Sequence, residues 1–178
     1  MKTLKIALTL TVIGLIISCG KDDADPSNKV VINGEAIKTI NAYIDDWGTD
    51  CYGPPTRVAG CTETHYTNVF MFTDATLNGE VCWPNDQAYY VRIILYSPNT
   101  TGLMEGTFTI DEQIQGNQSG NFFGSARISW DSNSDYAQGS VTVTGEGPEY
   151  KVRFDLTSPD AEIKGVYNGP VAEQGICD

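Results

Sequence analysis

Apolar side chains recur at every second position through most of this chain, the period of a β-strand rather than that of a helix. Thr107-Phe108-Thr109-Ile110 alternates, as do Ser125-Ala126-Arg127-Ile128-Ser129-Trp130 and Ser140-Val141-Thr142-Val143-Thr144. Lys151-Val152-Arg153-Phe154-Asp155-Leu156 is the plainest case, and Ile163-Lys164-Gly165-Val166-Tyr167 closes the series. Turn formers separate these runs at Asp131 to Asp135, Gly145-Glu146-Gly147-Pro148 and Ser158-Pro159-Asp160. Nearer the start, Val31-Ile32-Asn33-Gly34-Glu35-Ala36-Ile37 sets Asn-Gly between two short apolar runs, a strong hairpin signal. A strand is expected through Ile40, Ala42 and Ile44, then a long loop over residues 45–61. Tyr66 to Thr73 and Tyr89 to Tyr96 are apolar on both faces, as central strands buried on both sides or lining a tight core would be. Residues 111–120 read as loop, and no amphipathic stretch demands a helix. The fold class is therefore all-β: an antiparallel β-sandwich or barrel of roughly 8–10 strands, arranged as a hairpin-rich meander.

The first residues follow another pattern. Lys2 and Lys5 precede an apolar run of 12 residues, Ile6 to Ile17, too short to span a bilayer as a helix. The run ends in Ile16-Ile17-Ser18-Cys19, which resembles the lipobox of bacterial lipoproteins. That resemblance implies cleavage before Cys19 and attachment of diacylglycerol to its thiol, with fatty acids such as palmitate as the anchor. Two or three acyl chains hold a protein on a membrane where one holds it only marginally. Gly20-Lys21-Asp22-Asp23 resembles the short Lys-plus-acidic export signal of Bacteroidota-type surface lipoproteins, which implies an outer-membrane, cell-surface location. The expected organisation is a signal peptide over 1–18, a lipidated flexible tether over 19–29 and one β domain over 30–178. Within that domain, residues 106–170 are similar to small all-β lipoproteins of the same type. The likeness rests on the cadences Gly139-x-Val141-x-Val143, Tyr150-x-Val152-x-Phe154-x-Leu156 and Ile163-x-Gly165-x-Tyr167-x-Gly169. It implies hairpins and no functional residue; the glycines are expected at bends, bulges or close approaches.

Charge narrows the partners. The chain carries −12, and loss of Lys2 and Lys5 with the signal leaves −14. That balance argues against nucleic acid, and against gripping anionic lipid with the protein surface itself. The membrane partner is then reached through the covalent lipid on Cys19. With Cys19 so used, Cys51, Cys61, Cys82 and Cys177 form an even set for an oxidising compartment. Three pairings are possible. Cys51–Cys61, around a loop of turn formers, and Cys82–Cys177, tying down the C-terminal segment, are the favoured ones. No CxxC pair suggests zinc.

Candidate chemistry is sparse. His65 is the sole histidine and has no GxSxG-like nucleophile setting, so a solvated or hydrogen-bonded role is expected. Among 23 acids, pairs such as Asp45/Asp46 and Asp111/Glu112 read as solvated charge. Asp131, Asn133 and Asp135 open like a calcium loop, but Tyr136 and Thr142 stand where such a loop needs Gly and Glu, and a hairpin turn accounts for them. No catalytic residue, metal or cofactor is expected. The ligand-binding candidates are Trp47 and Trp83, placed by the pattern in loops, with Asp45 and Asp46 beside Trp47: an aromatic face next to carboxylates suits a sugar. Packing on the disulfides would explain the same tryptophans. Trp130, in alternation with Ala126 and Ile128, is expected in the core, and Tyr89, Tyr90 and Tyr136 carry no assignment.

The expected function is a non-catalytic, lipid-anchored binding or adhesion module of the cell envelope, with a glycan or an envelope protein as ligand. The alternatives are a structural accessory subunit of an outer-membrane complex, a lipocalin-like carrier enclosing an apolar cavity, and a glycoside hydrolase using two carboxylates.

Overall fold

The computed structural model describes residues 28–37, 40–50, 65–77, 89–111, 122–130 and 133–173. They form eleven strands and no helix: β1 (Lys29–Ile32), β2 (Glu35–Ile37), β3 (Asn41–Asp50), β4 (His65–Thr73), β5 (Tyr90–Ser97), β6 (Gly106–Ile110), β7 (Phe123–Trp130), β8 (Asn133–Glu146), β9 (Glu149–Thr157), β10 (Glu162–Pro170) and β11 (Ala172–Glu173). All belong to one sheet in the order β11-β3-β4-β5-β7-β6-β8-β9-β10-β1-β2. Neighbours run antiparallel except β6 beside β7 and β11 beside β3, which are parallel over two residue pairs each. The all-β class is thus as expected; one mixed sheet of eleven strands replaces the purely antiparallel arrangement.

The sheet curls. The chain passes from β10 to β11 through the single buried residue Val171, yet β11 pairs with β3 at the far end of the strand order. That continuity brings the two sides of the sheet round towards each other. Inside the curl, one cluster takes an inward row from nearly every strand, including Val30, Phe72, Ile93, Phe108, Ile128, Val141, Phe154 and Ile163. Rings meet across it: Phe72 on β4 lies 5.3 Å from Phe154 on β9 and 5.7 Å from Tyr167 on β10, centroid to centroid. Among the described residues these inward side chains pack together as one cluster inside the curl. Gly165 is part of the reason they do. A Cβ at that position would come within 2.1 Å of the Phe154 ring, so only hydrogen there lets the ring lie across β10.

Local sequence explains the connections. Asn33 and Gly34 take φ of 51° and 85°, and Ile32 pairs with Glu35, so Asn-Gly makes the two-residue hairpin its chemistry favours. One expectation is corrected. The loop placed at 45–61 does not begin at residue 45: β3 continues to Asp50, with the register shifting between Asp46 and Gly48, so Trp47 is a bulge residue on a strand. An Asp-Asp-Trp-Gly run lacks strand propensity, and pairing with β4 overrides it. β5 takes the second of its two expected placements and lines the core, with Val91, Ile93 and Leu95 buried and Tyr90, Arg92, Ile94 and Tyr96 half-buried. The Gly145–Pro148 and Ser158–Asp160 turns form where expected, between β8 and β9 and between β9 and β10.

Candidate functional site

The inward rows of β1, β2, β4, β5 and β7 run out at one end of the curled sheet, and a groove of about 560 Å3 opens there. Ile32, Asn33, Glu35, Ala36, Ile37, Asp74, Tyr89 and Trp130 line it. Ile37, Tyr89 and Trp130 are half-buried and pack against the main core, so the floor of the groove is the top of that core. Glu35 and Asp74 are exposed. Among the described residues the lining holds these two carboxylates and no basic side chain.

Both walls are fixed by hydrogen bonds between segments far apart in sequence. On the hairpin side, Asn33 N–H donates to the Glu162 carbonyl at 2.9 Å and its side-chain amide donates to the Asp160 carbonyl at 3.3 Å. Asn33 Oδ1 in turn accepts from Glu162 N–H at 3.0 Å. On the opposite wall, Asp74 N–H donates to the Tyr89 carbonyl at 3.3 Å, while Asp74 Oδ1 accepts from Tyr89 N–H at 3.1 Å. Such a groove is formed before anything enters it, which lowers the ordering cost of binding.

The residues singled out from sequence lie elsewhere. Asp45 and Asp46 are adjacent on a strand, so their side chains leave opposite faces and do not act as a pair. On the outer face, Asp45 Oδ2 accepts from the Trp47 indole N–H at 2.9 Å, and the Arg92 guanidinium carbon sits 5.2 Å from the Trp47 ring centroid. Burial, more than any other cause, pushes the Arg92 guanidinium below its ordinary pKa. Trp47 is thus half-buried and held by its own neighbours. On the other face, Asp46 Oδ2 accepts from the Tyr66 hydroxyl at 2.6 Å and Asp46 Oδ1 from Gly48 N–H at 2.8 Å. The bond to Asp46, with burial and the negative charge adding to it, pushes the Tyr66 phenol up to about 12. Tyr150, on β9, is also raised, first by burial and then by the Asp46 charge.

Of the two roles expected for His65, solvated or hydrogen-bonded, burial excludes the solvated one. It is fully buried at the start of β4, edge-on to the Phe123 ring at 4.9 Å. Asn133 and Asp135 lie on β8, where the turn was expected, and Asp135 Oδ1 accepts from the N–H of Tyr136 at 2.8 Å. Among the described residues no group of three or more His, Cys, Asp or Glu could hold a metal ion. Trp83, Cys19, Cys51, Cys61, Cys82, Cys177, Asp131 and Glu112 lie outside the described residues.

Sequence reasoning missed Glu35, Asp74, Tyr89 and Trp130 as a set. Trp130 sits at the end of its alternating run, immediately before a polar turn, and an aromatic in that place covers the end of a core rather than its middle. That signal was available. The convergence of four separate strand ends was not, because it depends on pairings such as Val91 with Ile128 and Phe72 with Val91. No family model, curated protein or solved structure matches this chain. The groove's own chemistry therefore carries the functional reading: a mixed lining with two aromatic side chains, two exposed carboxylates and a volume in the range of small-molecule sites.

Proposed function

We propose that this chain is a non-catalytic binding module of the cell envelope, anchored by lipid on Cys19 at the outer membrane and facing the cell surface. A glycan, or a short segment of an envelope protein, occupies the groove at the end of the curled sheet. The observation that carries the reading is the grouping of Trp130 and Tyr89 with Glu35 and Asp74 around one pre-formed groove. Aromatic faces receive the C–H face of a sugar ring, and carboxylates accept its hydroxyl hydrogens. The lipobox resemblance and the Lys-plus-acidic segment support the anchor and the location.

The test is a glycan array together with pull-downs from envelope extracts, run with the full mature chain and with Tyr89→Ala. A ligand retained by the wild type and weakened by about tenfold or more in Tyr89→Ala is expected, the size of a hot-spot loss. No ligand in either assay, or a ligand indifferent to Tyr89→Ala, overturns the reading. Palmitate incorporation abolished by Cys19→Ala, and cleavage by protease added to intact cells, are the outcomes expected for the anchor and the location.

A second reading draws on the same groove. Two carboxylates are the minimum for glycoside hydrolysis, and Glu35 and Asp74 share one lining. Release of reducing ends from a bound glycan, lost in both Glu35→Gln and Asp74→Asn, would replace binding by hydrolysis. Binding without release excludes it.

A further inference from the structure

We infer that the groove selects a saccharide bearing a free, protonated amine; this rests on the binding reading above and gives its ligand class. Among the described residues, Glu35 and Asp74 are the charged side chains of the lining, and both are negative. An uncharged sugar would use them as acceptors for hydroxyl hydrogens and gain little from their charge. An ammonium group placed between them gains a charge-assisted hydrogen bond with each carboxylate that it reaches. The aromatic lining works in the same direction. The faces of Trp130 and Tyr89 carry the negative lobe of the ring quadrupole, which attracts a cation and still accepts apolar C–H.

Geometry restricts the frame that carries the amine. The groove, at about 560 Å3, falls in the range of sites that enclose a whole small molecule rather than a single side chain. Ile32, Ile37 and Trp130 give part of the lining an apolar character that suits one face of a pyranose. The walls are held by the Asn33–Glu162, Asn33–Asp160 and Asp74–Tyr89 bonds, so the two carboxylates are carried on pinned segments instead of free loops. An amino sugar presents its ammonium at the ring edge with the ring face beside it, and this arrangement matches a lining that holds both exposed carboxylates and aromatic side chains.

The experiment compares calorimetric titrations of the full mature chain with a short glucosamine oligomer and with the N-acetylated oligomer of the same length, at a mildly acidic pH where the free amine is protonated. The glucosamine oligomer is expected to bind at least about tenfold more tightly, the effect of one charge-assisted hydrogen bond. Added salt should shrink the preference, and Glu35→Gln/Asp74→Asn should abolish it while circular dichroism and the melting temperature stay those of the wild type. Glu35→Gln alone, on an exposed hairpin residue, provides the same readout if the double variant does not fold. Equal affinity for the two oligomers, or a preference that survives in the variants, overturns the inference and leaves the binding reading standing if either oligomer depends on Tyr89. A lysine-containing peptide binding more tightly than the glucosamine oligomer also overturns it. Binding of neither oligomer, with an empty array, removes both.

Discussion

β4 and β9 are both central strands of one sheet, and their outer faces have opposite fates. On β4 the outward row His65, Thr67, Val69, Met71 and Thr73 is buried throughout, as are Asn68, Phe70 and Phe72 of the inward row, with Tyr66 half-buried. On β9 the outward row Lys151, Arg153, Asp155 and Thr157 is exposed, while Val152, Phe154 and Leu156 are buried. Part of the cover on β4 is visible: Leu77 and Ala75 pack with Tyr43 and Met71 in a second, smaller cluster, and Leu77 N–H donates to the Tyr43 hydroxyl at 2.8 Å. The Asn41 amide donates to the Ala75 carbonyl at 2.9 Å and fixes the same segment. One sheet is thus two layers deep at β9 and three at β4. The difference shows that a strand's composition reports how many layers cross it, and not only whether it is a strand.

The comparison can be tested by mutation. The largest effects should fall on the shared inner side, where the two strands are alike: Phe72→Ala and Phe154→Ala are each expected to cost about 3–5 kcal/mol in denaturant unfolding. A cost near zero for either would mean that the rings seen in contact do not hold the two sides together. Next come the outer rows, where the strands differ. Met71→Ala on β4 should cost about 2–5 kcal/mol, the value for a buried methionine, whereas Lys151→Ala on β9 should stay within about 0.5 kcal/mol. Similar values for both would erase the distinction between a covered and a bare face.

The smallest effect is electrostatic and belongs to the β3–β4 side. Tyr66 is pushed up to about 12 by its bond to Asp46, against about 10 for an unfolded tyrosine. The folded state keeps a proton that the unfolded state gives up, so the contribution is complete below about pH 10 and is lost as pH rises towards 12. Asp46→Asn should return the Tyr66 transition, followed by tyrosinate absorbance, towards the ordinary value and flatten that part of the pH–stability curve. An unchanged titration would show that Asp46 does not hold the hydroxyl in solution.

The β9 side was legible in the sequence because its alternation is unbroken and its ends carry turn formers. The Asn33-Gly34 hairpin was legible for the same local reason: both residues tolerate positive φ, and the structure uses both there. β3 was read short because its second half begins with two aspartates and a bulge, which break the alternation by one residue at Trp47. Asn133 to Asp135 looked like turn because polarity was taken for loop, although these residues pair with Ser129, Trp130 and Ile128 at the exposed beginning of β8. The groove was least legible. Trp47 invites attention by its acidic neighbours, but it is satisfied within its own strand and by Arg92. Trp130, Tyr89, Glu35 and Asp74 look unremarkable one at a time and acquire meaning only through register.

The pairing of Ala172 with Tyr43 sets a schedule for the chain. β3 is synthesised early and its antiparallel neighbour β4 soon after, but β11, which pairs with Tyr43 and Ile44 on its other flank, comes only after every other described strand has been made. Until then a bare row of amide and carbonyl groups is open to any passing strand, including that of another copy, and contacts so distant in sequence are slow to close.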